Sequence, residues 1–310
     1  MNELINFNSY PVNVVLKTLL KDKTTKQNII FATNTYTEND SSIDERTQIT
    51  ESILKGFGSS VIQPRVAKSL EQQAERTRKK AEVFTPSWIC NKMNNYCDEE
   101  WFGKAGLFNI ETGQDWVVNN NPIPFEKAKD WQKYVDSKRL EITCGEAPYI
   151  VSRYDAATGE IIPIERRIGI LDRKLRVVNE NTETESDWMK WVLRAYQSVY
   201  GYEYQGDNLL IARINLFITF VDYMQDRWNR VPTDAELKKV SNVIVWNLWQ
   251  MDGITGLVPF GKSVEKSTQL SLFEFVADDS PNEEQTDIEC KIFDWRSNES
   301  IIYNSMKEGR

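Results

Sequence analysis

One stretch decides the fold of this chain: LEITCGEAPYI, residues 140–150. Two apolar residues, Leu140 and Ile142, lead into small residues and a glycine, and a run that is compatible with a helix begins at Tyr149. This order predicts a β-strand, a tight turn and an α-helix. Such a turn exposes backbone N–H groups at the start of the helix, where a polar or anionic ligand can approach the main chain closely.

A second unit of the same kind lies at residues 198–216. Residues 198–204 predict a strand with Glu203 near its end, and residues 208–216 are strongly helical. A strand, an acid and a helix in this order recur in nucleotide-like cofactor sites, because a carboxylate accepts hydrogen bonds from both ribose hydroxyls better than a neutral group does. The alternative interpretation is an ordinary surface glutamate at the end of a strand.

A helix start lies upstream of both units, at Phe84-Thr85-Pro86, and the predicted helix runs through Tyr96. Threonine followed by proline is a favourable helix opening. Residues 65–80, just before it, are basic and predict an exposed helix. That helix presents either a solvated face, the favoured interpretation, or a strip that contacts phosphates. Its cations are Arg65, Lys68, Arg76, Arg78, Lys79 and Lys80.

These three elements together resemble the N6-adenine DNA methyltransferases, the M subunits of restriction–modification systems. The cofactor loop of that family reads roughly Asp/Glu-Pro-x-Cys-Gly-x-Gly-x-Phe-Leu. Glu141, Cys144, Gly145 and Ile150 match it, whereas Ile142 and Ala147 depart from it. The resemblance implies an α/β, Rossmann-like methyltransferase core that binds S-adenosyl-L-methionine (AdoMet).

The resemblance also implies which residues bind AdoMet. The Phe-Thr-Pro turn lies against the methionine end of the cofactor in that family, and Glu203 has the position of the acid that binds the ribose. A predicted strand at residues 288–294 ends in Asp294, which is the candidate for the adenine amino group. The full set is Phe84, Thr85, Pro86, Glu141, Thr143, Cys144, Gly145, Glu146, Ala147, Glu203, Asp294 and Trp295.

The catalytic motif of the family, Asn/Asp-Pro-Pro-Tyr/Phe, has no counterpart here. Residues 121–125 do not qualify, because Ile123 displaces the second proline and the segment precedes the cofactor loop. Only residues 296–310 follow Trp295, so the resemblance spans about residues 80–300. The expected sheet is therefore incomplete, with an unpaired apolar edge. Either another chain or a local segment such as residues 29–31 covers that edge.

We expect a mostly helical extension at residues 1–80 and a methyltransferase-like domain at residues 81–310. Within that domain, residues 98–138 and 160–187 are predicted insertions, and a mobile loop is predicted near residues 262–287. The charged residues 165–185, within the second insertion, are predicted to be an exposed excursion. Residues 246–250 are predicted to be a helix that runs into a turn, and residues 28–33 are a candidate strand.

The bulk composition of the 310 residues excludes several classes of function. The chain has no histidine, which removes His-dependent catalytic triads and nearly all His-containing metal sites. A metal-dependent nuclease that uses carboxylates is the alternative left open, but we expect no bound metal. Its four cysteines form no Cys-x-x-Cys pair, and its net charge is −8. No apolar run reaches about 18 residues, and the amino-terminus lacks a basic start and an apolar signal core. These features predict a soluble, cytoplasmic protein.

A short peptide near the carboxyl end, Gln269-Leu270-Ser271-Leu272-Phe273, resembles the motif by which bacterial replication and repair proteins bind the DNA sliding clamp. Its glutamine amide and its apolar anchors, Leu270, Leu272 and Phe273, suit a preformed groove. The favoured function is the AdoMet-binding M-type component of a DNA adenine modification system, which acts on DNA with a catalytic or specificity subunit. The alternatives are an inactive docking module that binds the clamp or another DNA-bound protein, and an acidic inhibitor of a restriction enzyme.

Overall fold

The computed structural model describes residues 4–37, 41–56, 62–80, 85–264 and 285–306. The helices are α1 (Val12–Leu19), α2 (Glu51–Gly56), α3 (Leu70–Lys80), α4 (Ser87–Phe102), α5 (Asp130–Asp136), α6 (Ile170–Asn181), α7 (Glu185–Gln197), α8 (Gly206–Trp228) and α9 (Asp234–Asn247). The strands are β1 (Asn109–Thr112), β2 (Asp115–Val118), β3 (Arg139–Glu141), β4 (Val199–Glu203), β5 (Leu248–Gln250), β6 (Leu257–Val264), β7 (Gln285–Glu289), β8 (Lys291–Asp294) and β9 (Glu299–Ile302). Short 3₁₀ helices span Arg65–Ala67, Ile164–Arg166 and Asn304–Met306.

Three strands form a parallel sheet in the order β3-β4-β5. Leu140 of β3 is paired with Tyr200 of β4, and Tyr202 of β4 is paired with Trp249 of β5. Helices α6 and α7 connect β3 to β4, while α8 and α9 connect β4 to β5. This alternation is typical of α/β folds. The other strand pairs in the described ranges are antiparallel, so the fold is mixed α/β.

Strand β3 lies at the edge of this sheet, since β4 is its one neighbour among the described strands. Leu140 is 45% exposed and Ile142 63%, whereas every residue of β4 is buried. The candidate strand at residues 28–33 does not cover this edge. Ile30 instead exchanges hydrogen bonds of 2.8 and 3.0 Å with the side-chain amide of Gln250, next to β5. The described part of the chain therefore leaves the apolar edge of β3 open.

Helix α8 runs through the core, and every residue from 206 to 217 is buried. Its predicted helical run is confirmed. Arg213 lies inside this core and donates hydrogen bonds to the carbonyl oxygens of Leu19 (2.6 Å) and Leu248 (2.7 Å). Burial lowers the pKa of Arg213 to about 10, although the charge of Asp22 opposes the shift. The buried guanidinium thus ties the end of α1 to the start of β5.

The prediction of a helix directly after the loop at residues 142–147 is wrong. Residues 148–150 form a single turn, and the next helix is α6. The N–H groups of Ile170 and Leu171 donate to the carbonyl oxygens of Tyr149 and Ile150, both at 2.8 Å. Gly169 permits this approach, since a Cβ there would lie 2.4 Å from the Ile150 oxygen. No helix begins at this turn. Its carbonyl groups instead cap the start of α6, 20 residues further along the chain.

Residues 165–185 are not an exposed excursion, because α6 is buried along one whole face. The buried residues of α6 are Leu171, Asp172, Arg173, Lys174, Leu175, Val177 and Val178. The charges in this segment suggested solvent exposure, but Arg173 and Lys174 are each bonded inside the protein. Arg173 pairs with Asp98 at 2.6 Å, and Lys174 donates to Ser198 Oγ at 2.6 Å.

Two further expectations about strands differ from the structure. Helix α9 ends at Asn247, and residues 248–250 form β5, which the sequence pattern had assigned to the helix. The single strand predicted at residues 288–294 is divided at Cys290 between β7 and β8, and β8 pairs with β9 in an antiparallel hairpin. Residues 28–33 make isolated bridges, including Ile30 with Gln48, and no regular strand.

Candidate functional site

The carboxyl ends of the three parallel strands each lead into an acidic residue. Strand β3 ends at Glu141, β4 ends at Glu203, and Asp252 follows two residues after the end of β5. Because Glu203 is paired with Gln250, these ends lie side by side. Ligands of parallel α/β sheets bind outside this end of the strands. These three carboxylates, with the loop at residues 142–147, define the candidate site.

The loop after β3 has an unusual backbone. Thr143, Gly145 and Ala147 have positive φ angles of 46°, 54° and 64°. Only glycine adopts this left-handed conformation without strain. The side chain of Ala147 is 0% exposed, so its methyl group packs into the protein and leaves the surface of the site unchanged. Alanine in place of the family's second glycine therefore strains the backbone at residue 147 but does not narrow the site.

Glu203 joins this loop to β4. One carboxylate oxygen accepts the Gly145 N–H at 2.9 Å, and the other accepts the Gln205 N–H at 3.1 Å. The side chain is 7% exposed. A buried carboxylate that accepts hydrogen bonds from two backbone N–H groups is fixed in direction. It can therefore act as a strong acceptor for ligand hydroxyl groups at the strand end.

Glu141 has a different environment. Its carboxylate accepts the Ile150 N–H at 3.2 Å. Burial raises the pKa of Glu141 well above its ordinary value, although the backbone N–H groups of Tyr149 and Ile150 oppose the shift; the charge of Glu203 raises it further. A positively charged ligand group near Glu141 would favour the ionised form.

Two other loop residues face the interior. Cys144 is buried, and a Cβ added to Gly201 would lie 3.2 Å from its sulfur. Burial raises the pKa of the Cys144 thiol well above its ordinary value, so this thiol is a packing group. The Glu146 carboxylate accepts hydrogen bonds from the Arg65 N–H and the Tyr154 hydroxyl, each at 2.6 Å. Glu146 thus links the loop to the N-terminal extension.

Thr85 and Pro86 lie beside the turn that follows the loop. Thr85 hydrogen-bonds through its side chain with Tyr149, and its carbonyl oxygen accepts from the Cys90 thiol at 3.6 Å. Cys90 is also close enough to Glu141 for that charge to raise the Cys90 thiol pKa, after burial itself. The structure therefore brings Thr85 to the candidate site, whereas Pro86 lines a neighbouring cleft with Trp88 and Asp155. Phe84 lies outside the described residues, as do Gln269, Leu270, Leu272 and Phe273.

The placement of Asp294 and Trp295 in this site is wrong. Asp294 pairs with Lys138 at 3.2 Å, and Lys138 directly precedes β3. Trp295 donates its indole N–H to Asn247 at 2.7 Å, just before β5 begins. Both residues therefore lie at the amino end of the parallel strands, opposite the loop. The cause is that β8 belongs to a separate antiparallel hairpin and not to the parallel sheet.

Two residues of the site were missed by sequence reasoning. Asp252 accepts the N–H of Ile254 at 2.8 Å, which closes the turn after β5. Tyr204 follows Glu203, is half-buried and has its ring centre 6.3 Å from that of Phe260. Burial raises the pKa of Tyr204, and the charge of Asp252 adds to the shift. The available signal was the short, mainly apolar run 248–251 followed by an acid, as in the strand that ends at Glu203.

A separate cleft of about 250 Å³ lies between α6 and the β1–β2 hairpin. Its arginines are already bonded within the protein: Arg173 to Asp98 and Asn91, and Arg176 to Glu180. Arg176 also donates to the carbonyl oxygens of Asn119 at 2.6 Å and Asn121 at 2.9 Å, so it ties this segment to α6. The cleft is therefore a product of structural packing.

Comparison with protein-family models, curated proteins and solved structures finds no match to this chain. Within the described ranges, no helix is both long and apolar enough to cross a membrane. The same ranges contain no group of three or more Cys, Asp or Glu side chains that could hold a metal ion.

Proposed function

We propose that the carboxyl end of the β3-β4-β5 sheet binds AdoMet, and that the chain is the AdoMet-binding M-type component of a DNA adenine-N6 modification system. The observation that carries the proposal is the contact between Gly145 of the β3 loop and Glu203 at the end of the adjacent parallel strand, at 2.9 Å. This contact unites, in one place, two sequence elements that are 58 residues apart.

The residues at this edge suit the three parts of the cofactor. Glu203 offers a charged acceptor to the ribose hydroxyls, and Asp252 offers one to the adenine amino group, beside the Tyr204 ring. Glu141 is placed for the ammonium group, near Thr85. When bound, AdoMet supplies an electrophilic methyl group. The left-handed backbone at Gly145 lets the main chain approach the ligand closely.

The proposed reaction needs a second component. Methyl transfer to adenine N6 requires the base to be flipped out of the duplex and held in a pocket, and the family's base-binding motif is absent from the sequence. We propose that a partner subunit provides this motif and the recognition of the DNA target. The open edge of β3, with Leu140 and Ile142 exposed, is the surface at which such a subunit can extend the sheet.

Calorimetric titration of AdoMet into the purified chain tests the proposal. The wild type is expected to bind with micromolar affinity. Glu203→Gln keeps the volume but removes the charge, and a charged hydrogen bond is worth roughly 1.5–3 kcal/mol, so affinity should fall by about 10- to 100-fold. Glu180→Gln is the matched control, because Glu180 also accepts a backbone N–H, from Ile123 at 2.8 Å, but lies on α6 away from the strand ends. Absence of binding by the wild type would refute the proposed cofactor site.

The second candidate is a docking module for the DNA sliding clamp, which the sequence of residues 269–273 favours. Pull-down of purified clamp by the intact chain, compared with Gln269→Ala and Phe273→Ala, tests it. Capture that is lost in both variants would support docking. Equal capture by all three proteins, or none by the intact chain, would reject it.

A further inference from the structure

A buried polar network lies at the start of α8, next to the candidate site. Arg76 of α3 donates from Nη1 to Asp207 and from Nη2 to the side-chain oxygen of Gln205, each at 2.8 Å. Tyr36 donates to the same carboxylate at 2.6 Å, and Lys68 lies 3.7 Å from it. Arg76 is 1% exposed and Asp207 0%. Burial would raise the pKa of Asp207, but the charges of Arg76 and Lys68 hold it well below its usual range.

Arg76 is an exception to the favoured interpretation of residues 65–80 as a solvated helical face. Arg78 is exposed, whereas Arg76 points into the protein. Stability alone explains such a network poorly. The desolvation of two buried charges offsets most of their attraction, and apolar replacements of a whole pair are often neutral or stabilising. The use best attested for buried ionic groups is to fix one geometry. The question is therefore which geometry Arg76 fixes.

Two successive contacts connect Arg76 to the Glu203 carboxylate. The guanidinium donates a hydrogen bond to the side-chain oxygen of Gln205, and the backbone N–H of Gln205 donates one to a carboxylate oxygen of Glu203. The other carboxylate oxygen of Glu203 accepts a hydrogen bond from the Gly145 N–H. Arginine suits this position because its fork reaches the Asp207 carboxylate and the Gln205 amide at once, which a lysine ammonium does not reproduce.

We infer that Arg76 is a positioning residue for the AdoMet site, through which the N-terminal extension fixes the direction of the Glu203 carboxylate. The inference rests on the proposed function. It makes the extension a part of the site, because a segment more than 120 residues upstream of Gln205 sets the acceptor geometry at the end of β4.

Two variants test the link. Arg76→Lys keeps the charge beside Asp207 but loses the bond to Gln205, and Gln205→Leu removes the link while the Arg76–Asp207 ion pair remains. Arg173→Lys is the matched control: Arg173 is also buried, also forks between a carboxylate (Asp98) and an amide (Asn91), and lies away from the strand ends. We expect Arg76→Lys and Gln205→Leu to weaken AdoMet binding by about 5- to 10-fold, and Arg173→Lys by less than twofold.

A readout without ligand separates this inference from the proposed function. Hydrogen exchange of the Gly145 amide, followed by NMR, reports its bond to Glu203, whereas the Cys144 amide donates to the Tyr202 carbonyl at 2.8 Å and serves as an internal reference. Gly145 exchange should speed up at least fivefold in both link variants, with Cys144 unchanged. Unchanged Gly145 exchange, or equal acceleration of both amides, would overturn the inference. Failure of the wild type to bind AdoMet would refute the cofactor site, and the amide comparison would still decide the role of Arg76.

Discussion

Replacement of Ala147 by glycine should leave the stability of the protein almost unchanged, although Ala147 is fully buried. Its backbone has φ 64°, and an L-residue in this conformation costs roughly 1–2 kcal/mol, which glycine avoids. Against this gain, the loss of one buried methyl group costs about 0.8 kcal/mol. The greater freedom of glycine in the unfolded chain costs about 0.4–1 kcal/mol more. The terms cancel at their midpoints, so the free energy of unfolding should change by less than about 1 kcal/mol.

Ala195 provides the matched comparison. It is also fully buried, but it lies within α7 and has helical backbone. Here glycine relieves no strain. Ala195→Gly should lower the free energy of unfolding by about 1 kcal/mol through the lower helix propensity of glycine and by about 0.8 kcal/mol through the loss of a buried methyl group. Urea denaturation followed by circular dichroism should therefore separate the two variants by nearly 2 kcal/mol, with equal denaturant slopes.

The outcome that contradicts this reasoning is equal destabilisation of the two variants. The loop would then not hold Ala147 in a left-handed conformation in solution, or the strain would be relieved elsewhere. The backbone N–H direction at the candidate site would differ accordingly. Ala147→Val gives a second check, since a β-branched residue is still less compatible with positive φ, and we expect it to be more destabilising than glycine.

Three further results are expected. Gly206→Ala should lower the free energy of unfolding by about 3 kcal/mol or more in urea denaturation, because the new Cβ would lie 1.9 Å from the Ile30 carbonyl oxygen. Hydrogen bonds from Arg230 hold the pKa of Glu236 at about 2, below its ordinary 4.5. Its contribution to stability should therefore be complete above pH 4.5 and disappear as the pH falls toward 2; a Glu236→Gln variant whose stability falls with pH as steeply as that of the wild type would contradict this. Because burial raises the pKa of Glu141, AdoMet titrated calorimetrically at rising pH should bind more tightly as that carboxyl ionises, and Glu141→Gln should abolish this pH dependence.

Local chemistry was sufficient to predict part of the fold. The strand at residues 199–203 and the helix that follows it were both recognisable, because a run of β-formers ends in an acid and an apolar helical run begins. The start of α9 has a local signal too: Thr233 and Glu236 form a capping box, which is contained within four residues. The family resemblance, and not local chemistry, assigned Gly145 and Glu203 to one site, and the structure shows that the two residues are in contact.

Contacts between distant segments determined what the sequence pattern missed. The turn at residues 148–150 has the composition of a helix start, but Gly169 brings α6 against its carbonyl groups, and this approach cannot be inferred from residues 140–150. Likewise, the charges of residues 65–80 are typical of a solvated helix. Arg76 is buried by Gln205 and Asp207, and these two partners lie about 130 residues further along the chain.

The errors over Asp294 and Asp252 have a common origin. Both residues follow a short β-forming run, and a run of three or four residues does not show which sheet its strand joins. The rule that ligands bind at the carboxyl ends of strands applies to one parallel sheet, so the identity of the sheet decides the assignment. Strand β5 reaches the parallel sheet through α8 and α9, which places Asp252 beside Glu203. Strand β8 pairs only with β9 among the described strands, and its final acid is therefore carried to the amino end, where Lys138 neutralises it. The crossover helix before a strand is thus a better guide to a site residue than the acid at the end of that strand.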